Sequence, residues 1–560
     1  MFGGKEIIGS VFVLVLAMGL TAASARQIYV DSDATGDNDG SSWEHSYNHL
    51  SDALAAAIGG DEIQVAQGVY RPDQGAGVTA GDREATFQLI SGVALKGGHA
   101  GFGEPNPNAR DIRLYETVLS GDLGNNDAPV ANPKDLPNEP TRQENSYHVV
   151  VGSGTDETAA LDGFTIVGGN ARGAFAMDNH RLFGGGMYNW SGSPTVTDCT
   201  FRNNSANHFG GGMCNRQGSH PTVSRCTFIS NGTANVVYIK DEDESTGGGA
   251  ADVTGSSSVY SGCVFEGNWS RHAGGVGMAW DSNLTLERCL FIGNSAWSGG
   301  GICALFNCSP RLSRCEFIKN SALYFGGGFR CYADCNPILE HCEFVGNSAE
   351  DIGGAVASQV RCGPQLNHCI FSGNQAPRCG GYDNFYSSSS LTNCTLATNV
   401  NGDVLVAHGD VTLSSCILVG DSPAIEIDGG TVSVNYSNID GGWAGVGNID
   451  EDPVFADAAG GDYHLKSEVG RWDAEGEVWV RDAVTSPCID AGDPMTPIGP
   501  EPFPNGGVIN MGAYGGTAEA SKSYFGKPPC ETIIAGDLNG DCVVDFRDVA
   551  IMMMHWLEER

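Results

Sequence analysis

The feature that most limits what this chain can fold into is a triplet, Cys-x-Phe or Cys-x-Leu, that returns nine times. It stands at Cys199-Thr200-Phe201, Cys226-Thr227-Phe228, Cys263-Val264-Phe265, Cys289-Leu290-Phe291, Cys315-Glu316-Phe317, Cys342-Glu343-Phe344 and Cys369-Ile370-Phe371. It ends as Cys394-Thr395-Leu396 and Cys416-Ile417-Leu418. Successive cysteines lie 27, 37, 26, 26, 27, 27, 25 and 22 residues apart. Five residues after each of the first eight comes an asparagine: Asn204, Asn231, Asn268, Asn294, Asn320, Asn347, Asn374 and Asn399. Glycine clusters such as Gly210-Gly211-Gly212, Gly299-Gly300-Gly301 and Gly326-Gly327-Gly328 precede the next cysteine. A period of this length, built from short β-rich segments, is one coil of a parallel β-helix.

Side chains alternate along a strand, so the Cys and the Phe of each triplet share one face, and that face points inward. Stacking coils about 4.8 Å apart sets like over like and predicts a Cys column, a Phe column and an Asn column. Asn tolerates left-handed backbone angles, and its amide bonds both its own turn and the Asn of the next coil. The glycines mark a second corner, where a side chain does not fit or φ is positive. Met187, Met213, Ile302, Phe329 and Val356 follow glycine clusters and supply another inward column. Helical repeats of similar period conflict with the glycines and with the missing 3.6-residue periodicity.

The Phe-x-x-Asn and Gly-Gly-x elements, for example Phe201-Arg202-Asn203-Asn204, Phe344-Val345-Gly346-Asn347 and Gly353-Gly354-Ala355, resemble the repeats of polymorphic outer-membrane proteins. That resemblance covers residues 160–420 and implies a right-handed β-helix used as a surface passenger or adhesin. More broadly the chain resembles the pectate-lyase-like β-helix group, which includes polysaccharide lyases, hydrolases, epimerases and non-enzymes. The fold expected is therefore all-β: a right-handed parallel β-helix with an N-terminal cap and a small C-terminal calcium-loop and helix module. Residues 28–30 and 62–66 read as strands and 50–58 as a capping helix, which an open solenoid end needs. Tyr436-Ser437-Asn438-Ile439-Asp440, Asp452-Pro453-Val454-Phe455, Asp462-Tyr463-His464-Leu465 and Ser486-Pro487-Cys488-Ile489-Asp490 resemble closing coils and a cap. The expected organisation is 1–25 signal peptide, 26–160 cap and first coils, 161–425 regular repeats, 426–525 closing coils and cap, and 526–560 tail module.

Residues 1–25 read as a secretion signal: Lys5, then an apolar run over 7–20, then Ala23-Ser24-Ala25 as the cleavage pattern before Arg26. The bland alternative is an uncleaved N-terminal anchor. The run is too short for a comfortable membrane span, and no later apolar stretch approaches 18 residues. The protein is thus expected to be secreted or held at a cell surface. Its 67 acidic against 30 basic residues give a net charge of −37, which repels phosphate backbones and anionic lipid and argues against nucleic acid as a partner.

Nineteen cysteines in an exported chain invite disulfides. In-register neighbours about 4.8 Å apart sit outside disulfide reach, so the nine-member column is expected to consist mostly of buried thiols. Cys308, Cys335 and Cys362 form a shorter column, and local links Cys303–Cys331 or Cys530–Cys542 stay open, with zinc as a third option.

Near the end, Asp537, Asn539, Asp541, Asp545 and Asp548 occupy loop positions 1, 3, 5, 9 and 12, and Val543 offers its carbonyl at position 7. That is the spacing of a calcium-binding EF-hand loop, so Ca2+ is the expected cofactor. The loop and the helix expected over 549–557 resemble one half of a dockerin repeat, which implies a protein partner for the tail. Cys542 replaces the usual glycine at position 6, and only one repeat is present. The alternative is an Asp- and Asn-rich turn without an ion.

For an enzyme, the coils would have to bring a lyase base beside a calcium-carboxylate site, or two or three carboxylates into one groove, and no such set is evident in the repeat. The acidic run Asp241-Glu242-Asp243-Glu244 reads as a solvated loop of the lengthened coil, and His180 and Arg181 as a weak pair. Trp297 and Tyr324 occupy equivalent positions before glycine clusters, and Trp190, Arg216 and Tyr332 share an outward strand position. Exposed aromatics with polar neighbours suit sugar rings; the alternative is that they shield coil corners. The function expected is a non-catalytic β-helix that binds extracellular polysaccharide or cell-surface glycan, as an adhesin or scaffold anchored by its tail. The alternative is a calcium-dependent polysaccharide lyase or a glycoside hydrolase on the same scaffold.

Overall fold

The computed structural model describes residues 26–173, 179–234, 246–420, 423–524, 536, 538 and 544–555. Over these residues the strands stack into four ladders of 14, 13, 12 and seven strands, followed by two short hairpins. One coil shows the plan. Arg311–Ser313 lies in the 14-stranded sheet, Glu316–Ile318 in the 13-stranded sheet, Ser321–Phe325 in the seven-stranded sheet and Phe329–Tyr332 in the 12-stranded sheet. Each strand pairs in parallel with its counterpart one coil on, as Phe317 does with Phe344 and Phe329 with Val356. The chain is a right-handed parallel β-helix, the hand that successive parallel strands favour.

The interior is the set of columns that the repeat predicts. Phe201, Phe228, Phe265, Phe291 and Phe317 stack with ring centroids 4.8 Å apart, the spacing of the strands themselves. Met187, Met213, Ile302, Phe329 and Val356 line the opposite inner wall. Burying each large apolar side chain contributes about 2 kcal/mol, and the stack repeats that gain once per coil.

The Asn ladder is fully bonded. Asn294 donates its Nδ2 to Asn320 Oδ1 at 2.9 Å and to the Phe265 carbonyl at 2.8 Å, while its Oδ1 accepts from Asn268 N and Nδ2. The same pattern joins Asn320 to Asn347 and Asn347 to Asn374. The left-handed residue at this corner is the one before each ladder Asn: Asn203, Ser230, Lys319 and Thr398 all have φ between 52° and 57°. The ladder Asn is thus there for its amide, and its neighbour makes the turn. At the glycine corner both expected reasons operate: Gly326 has φ +63°, and a Cβ on Gly327 would lie 2.3 Å from the Ser348 carbonyl oxygen.

The 17 cysteines among the described residues are buried thiols. A Cys303–Cys331 link is excluded by register. Cys303 pairs with Arg330 and faces outward, whereas Cys331 pairs with Ala304 and faces the core, so the two lie on opposite sides of one sheet.

The N-terminal end is closed by the helix Leu50–Ala56, whose Leu50, Ala53 and Leu54 pack on Ile28, Val30 and Ile63 of the first strands. At the other end Trp443 packs against the last coils. Residues 455–520 do not stack as further coils. They lie sideways on the outer face of the 13-stranded sheet, through Tyr463 and Ala513 against Ile370 and through Met511 and Cys488 against Ile417. Hydrogen bonds from Asn393 Nδ2 to the Asn510 carbonyl and from Ala513 N to Thr395 Oγ1 fix the segment there.

The segment read as a secretion signal, the acidic run 241–244, Cys530, Cys542 and the loop residues Asp537, Asn539, Asp541 and Val543 lie outside the described residues. No helix among the described residues is long and apolar enough to cross a membrane.

Candidate functional site

Each of the nine four-residue strands of the 12-stranded sheet turns its second and fourth residues outward. Its fourth positions form one register column: Trp190, Arg216, Val253, Ala279, Leu305, Tyr332, Gln359, Phe385 and Ala407. Trp190, Arg216 and Tyr332 therefore share one outward column, with Trp190 and Tyr332 five coils, about 24 Å, apart.

Outward does not mean exposed everywhere. Arg216 is only 5% exposed, with its guanidinium 4.1 Å above the Phe183 ring and 5.4 Å from the Trp190 ring. The sequence reading placed it on a free surface; the aromatic rings beside it close that surface. Arg216 apart, the outward residues from Cys214 to Leu305 are small or apolar and buried, and Phe209 meets Trp280 at 5.7 Å. Trp190, in contrast, is 39% exposed.

Trp297 and Tyr324 do stand together on adjacent coils, edge to face at 6.2 Å. Arg271 lies 4.9 Å above the Trp297 ring, and Tyr324 is 44% exposed. They form an aromatic ridge on the seven-stranded sheet.

Two recesses flank the sealed middle. The first, of about 400 Å³, is lined by Glu84, His148, His180, Tyr188 and Trp190. His148 holds its Nδ1 2.9 Å from the Gly184 carbonyl oxygen, and burial pushes its imidazole down to about 4, so the ring is neutral there at pH 7. The second, of about 420 Å³, is lined by Arg330, Tyr332, Gln359, Asp383 and Phe385 among others.

A third hollow, of about 350 Å³, was not foreseen as a site. It opens between the 13-stranded sheet and residues 513–519. Glu316 and Glu343 stand in register on consecutive coils, and Glu519 faces them from the C-terminal segment. Burial lifts the Glu343 carboxyl above its ordinary value, and Glu316 and Glu519 push the same way against an opposing His464. His464 stacks on Tyr514 at 3.6 Å, with Nδ1 2.6 Å from Asp462 and Nε2 3.4 Å from Glu519. Burial pushes His368 down to about 4, and it stacks on His341 at 4.8 Å. The sequence shows no carboxylate set in the repeat; the fold brings Glu316 and Glu343 into one hollow with Glu519 of the C-terminal segment. The signal was the x of Cys-x-Phe, which is Glu in two successive coils; Glu519 was beyond reach because only the folded-back segment brings it there.

Elsewhere Asp122, Asp127 and Glu144 converge within 4.8 Å. Burial lifts Asp127 to about 6, while Arg142, itself buried, donates to its carboxylate at 2.8 Å and supplies the local positive charge. In the tail, Asp548 accepts from Leu538 N and Asp545 N, both at 2.7 Å, and so ties the loop to the helix Phe546–His555. Asp545 accepts from Arg547 N.

Two families match parts of the chain: residues 239–358 match one described as a right handed beta helix region, and residues 430–492 match one described as disaggregatase related. Among solved structures, the pectate lyase Pel9A is similar at 12% identity and TM-score 0.37, covering 88% of this chain and 96% of its own. A rhamnogalacturonan lyase is similar at 11% identity and TM-score 0.25, covering 83% and 96%. No curated protein matches the sequence.

Proposed function

We propose that this protein is an exported β-helix that binds extracellular polysaccharide along the outer face of its 12-stranded sheet. One observation carries the proposal: Trp190, Tyr332 and Phe385 on that face, with the Trp297–Tyr324 ridge on the seven-stranded sheet, accompany polar recesses over a length that suits a chain of sugars. Aromatic faces take the apolar CH side of a sugar while neighbouring polar groups take its hydroxyls. The tail, with Ca2+ held by Asp537, Asn539, Asp541, Val543, Asp545 and Asp548, anchors the body to a surface or a protein partner. Electrophoretic retardation of the mature protein in polysaccharide gels tests the binding. Retention should weaken when Trp190, Trp297 and Tyr324 are changed together to Ala; equal mobility of wild type and triple variant in every gel removes the proposal.

A second reading rests on Glu343. A carboxyl whose proton is held by burial and by two neighbouring carboxylates is suited to protonate a glycosidic oxygen, with Glu316 or Glu519 available to activate water. Release of reducing ends that Glu343→Gln abolishes, with polymer retention intact, would make the protein a hydrolase. No release from any retained polymer sinks this reading and leaves the first.

A further inference from the structure

The first recess of the 12-stranded sheet, beside Trp190, contains a buried acceptor that the fold leaves without a donor. His148 is 5% exposed, and its side chain lines the recess. Its Nδ1 lies 2.9 Å from the Gly184 carbonyl oxygen, which can only accept, so the proton sits on Nδ1 and Nε2 keeps a lone pair. No donor among the described residues meets that Nε2. Burial holds the ring neutral at pH 7, so protonation does not relieve it. A buried polar group left unpaired costs about 1–3 kcal/mol and is rare enough in native proteins to need a physical reason.

Three coils build the recess around it. Glu84 and Thr86 lead into the strand Phe87–Gln88, His148 precedes Val150–Val151, and Tyr188 and Trp190 belong to Met187–Trp190. Tyr188 pairs in register with Val151 and stacks on His148 at 5.0 Å, which fixes the plane of the imidazole. Trp190 donates its backbone N–H to Ser153 Oγ at 3.0 Å, and 39% of the residue is exposed. The one carboxylate in the lining is already paired: Glu84 lies 3.2 Å from His180 Nε2 and forms an ion pair with Arg181. What remains for a ligand is a space of about 400 Å³, an aromatic face and one acceptor, with no unpaired carboxylate among the lining residues.

Resting on the polysaccharide reading above, we infer that this recess is the subsite for an uncharged sugar unit of the polymer, with one hydroxyl donating to His148 Nε2 and the ring's apolar face on Trp190. The lone pair selects a donor, whereas a carboxylate or sulfate brings only lone pairs of its own. An ionic sugar would leave water with no free counter-charge to receive it, while a neutral polyol exchanges its water for the imidazole and the indole. The net charge of −37 acts in the same direction, since it repels a polyanion along the whole body. The polymer is then a neutral polysaccharide.

The test is titration of the full chain with methyl glucoside, methyl galactoside, methyl mannoside and methyl xyloside, and with glucuronate and glucosamine as charged arms, read by saturation-transfer NMR and calorimetry. At least one neutral glycoside should bind, and each charged sugar should bind at least tenfold more weakly than the best neutral one. His148→Asn sets an amide N–H near the place of Nδ1 and removes the acceptor at Nε2; it should weaken the neutral glycoside at least tenfold, as should Trp190→Ala. Trp190 is partly exposed and tolerates replacement, so a misfolded His148→Asn chain does not spare the inference. If no neutral glycoside binds, if a charged sugar binds as tightly, or if either folded variant binds like wild type, the inference is overturned. Should wild type still be retained by a polysaccharide gel in that case, the general reading stands and only the subsite falls; loss of all polymer retention removes both.

Discussion

Along the outer face of the 12-stranded sheet, the coils from Cys214 to Leu305 and those from Arg330 to Phe385 share one backbone plan and differ in what solvent meets. In the first stretch the outward residues beyond the buried Arg216 are Cys, Ala, Val, Gly and Leu, packed with Phe209, Trp280 and Phe306. In the second they are Arg330, Tyr332, Gln359, Asp383 and Phe385 around a recess. The inward columns run through both without change of register. The difference shows how a solenoid separates its tasks: hydrogen-bond ladders and inward columns hold the coils, and outward positions are free to be sealed or to bind.

That contrast can be broken by substitution, with inward changes setting the scale. Phe317→Ala removes a ring stacked on both sides and should cost about 4 kcal/mol, with a similar loss for Phe344→Ala, as read from the denaturation midpoint. An equally large loss from an exposed outward residue would mean that the two kinds of column are not distinct.

Next come the outward positions of a single column. Leu305→Ala, in the sealed stretch, should cost about 3 kcal/mol. Phe385→Ala, two-fifths exposed at the equivalent place, should cost under about 1 kcal/mol. Equal costs would show that the recess is as closed as the middle.

Asp383 sharpens the comparison through pH. Burial lifts its carboxyl to about 7, with Arg378 opposing and Asp351 adding. A raised acid favours the folded state fully below its unfolded value, about 3.9, and that stability is lost as pH rises through 7. Asp383→Asn should therefore stabilise the protein by up to about 4 kcal/mol at pH 8 and change little at pH 4. Melting curves at the two pH values check the sign, and a variant less stable at pH 8 would contradict it.

The smallest stability effect belongs to Trp190→Ala. At 39% exposure it should shift stability by less than about 1 kcal/mol while weakening polysaccharide retention. A large stability loss without any change in retention would return this residue to a corner-shielding role.

Much of the architecture was legible because each column is written as a period: Cys199 to Cys416, Phe201 to Phe371 and Asn204 to Asn399 name the inner wall one coil at a time. Even so, the left-handed turn sits one residue earlier than the ladder Asn, since several residue types serve there and only backbone angles tell them apart. The candidate sites were less legible. Trp190, Arg216 and Tyr332 do share a column, but whether an outward residue meets water depends on the size of its neighbours on adjacent coils, and Phe183 buries Arg216. Asp383 passed unnoticed because a single acidic residue after a glycine pair has no period to mark it.

The sequence by itself determined the coil, its inward columns and its two corners, because a solenoid needs the same residue types at the same offsets every turn and any lapse leaves a core gap or an unpaired polar group. Tertiary structure alone decided which outward residues are sealed and which line a recess. It also decided that residues 455–520 lie sideways on the 13-stranded sheet, where Glu519 meets Glu316 and Glu343. Those outcomes depend on packing between residues with no fixed spacing along the chain, and no repeat encodes them.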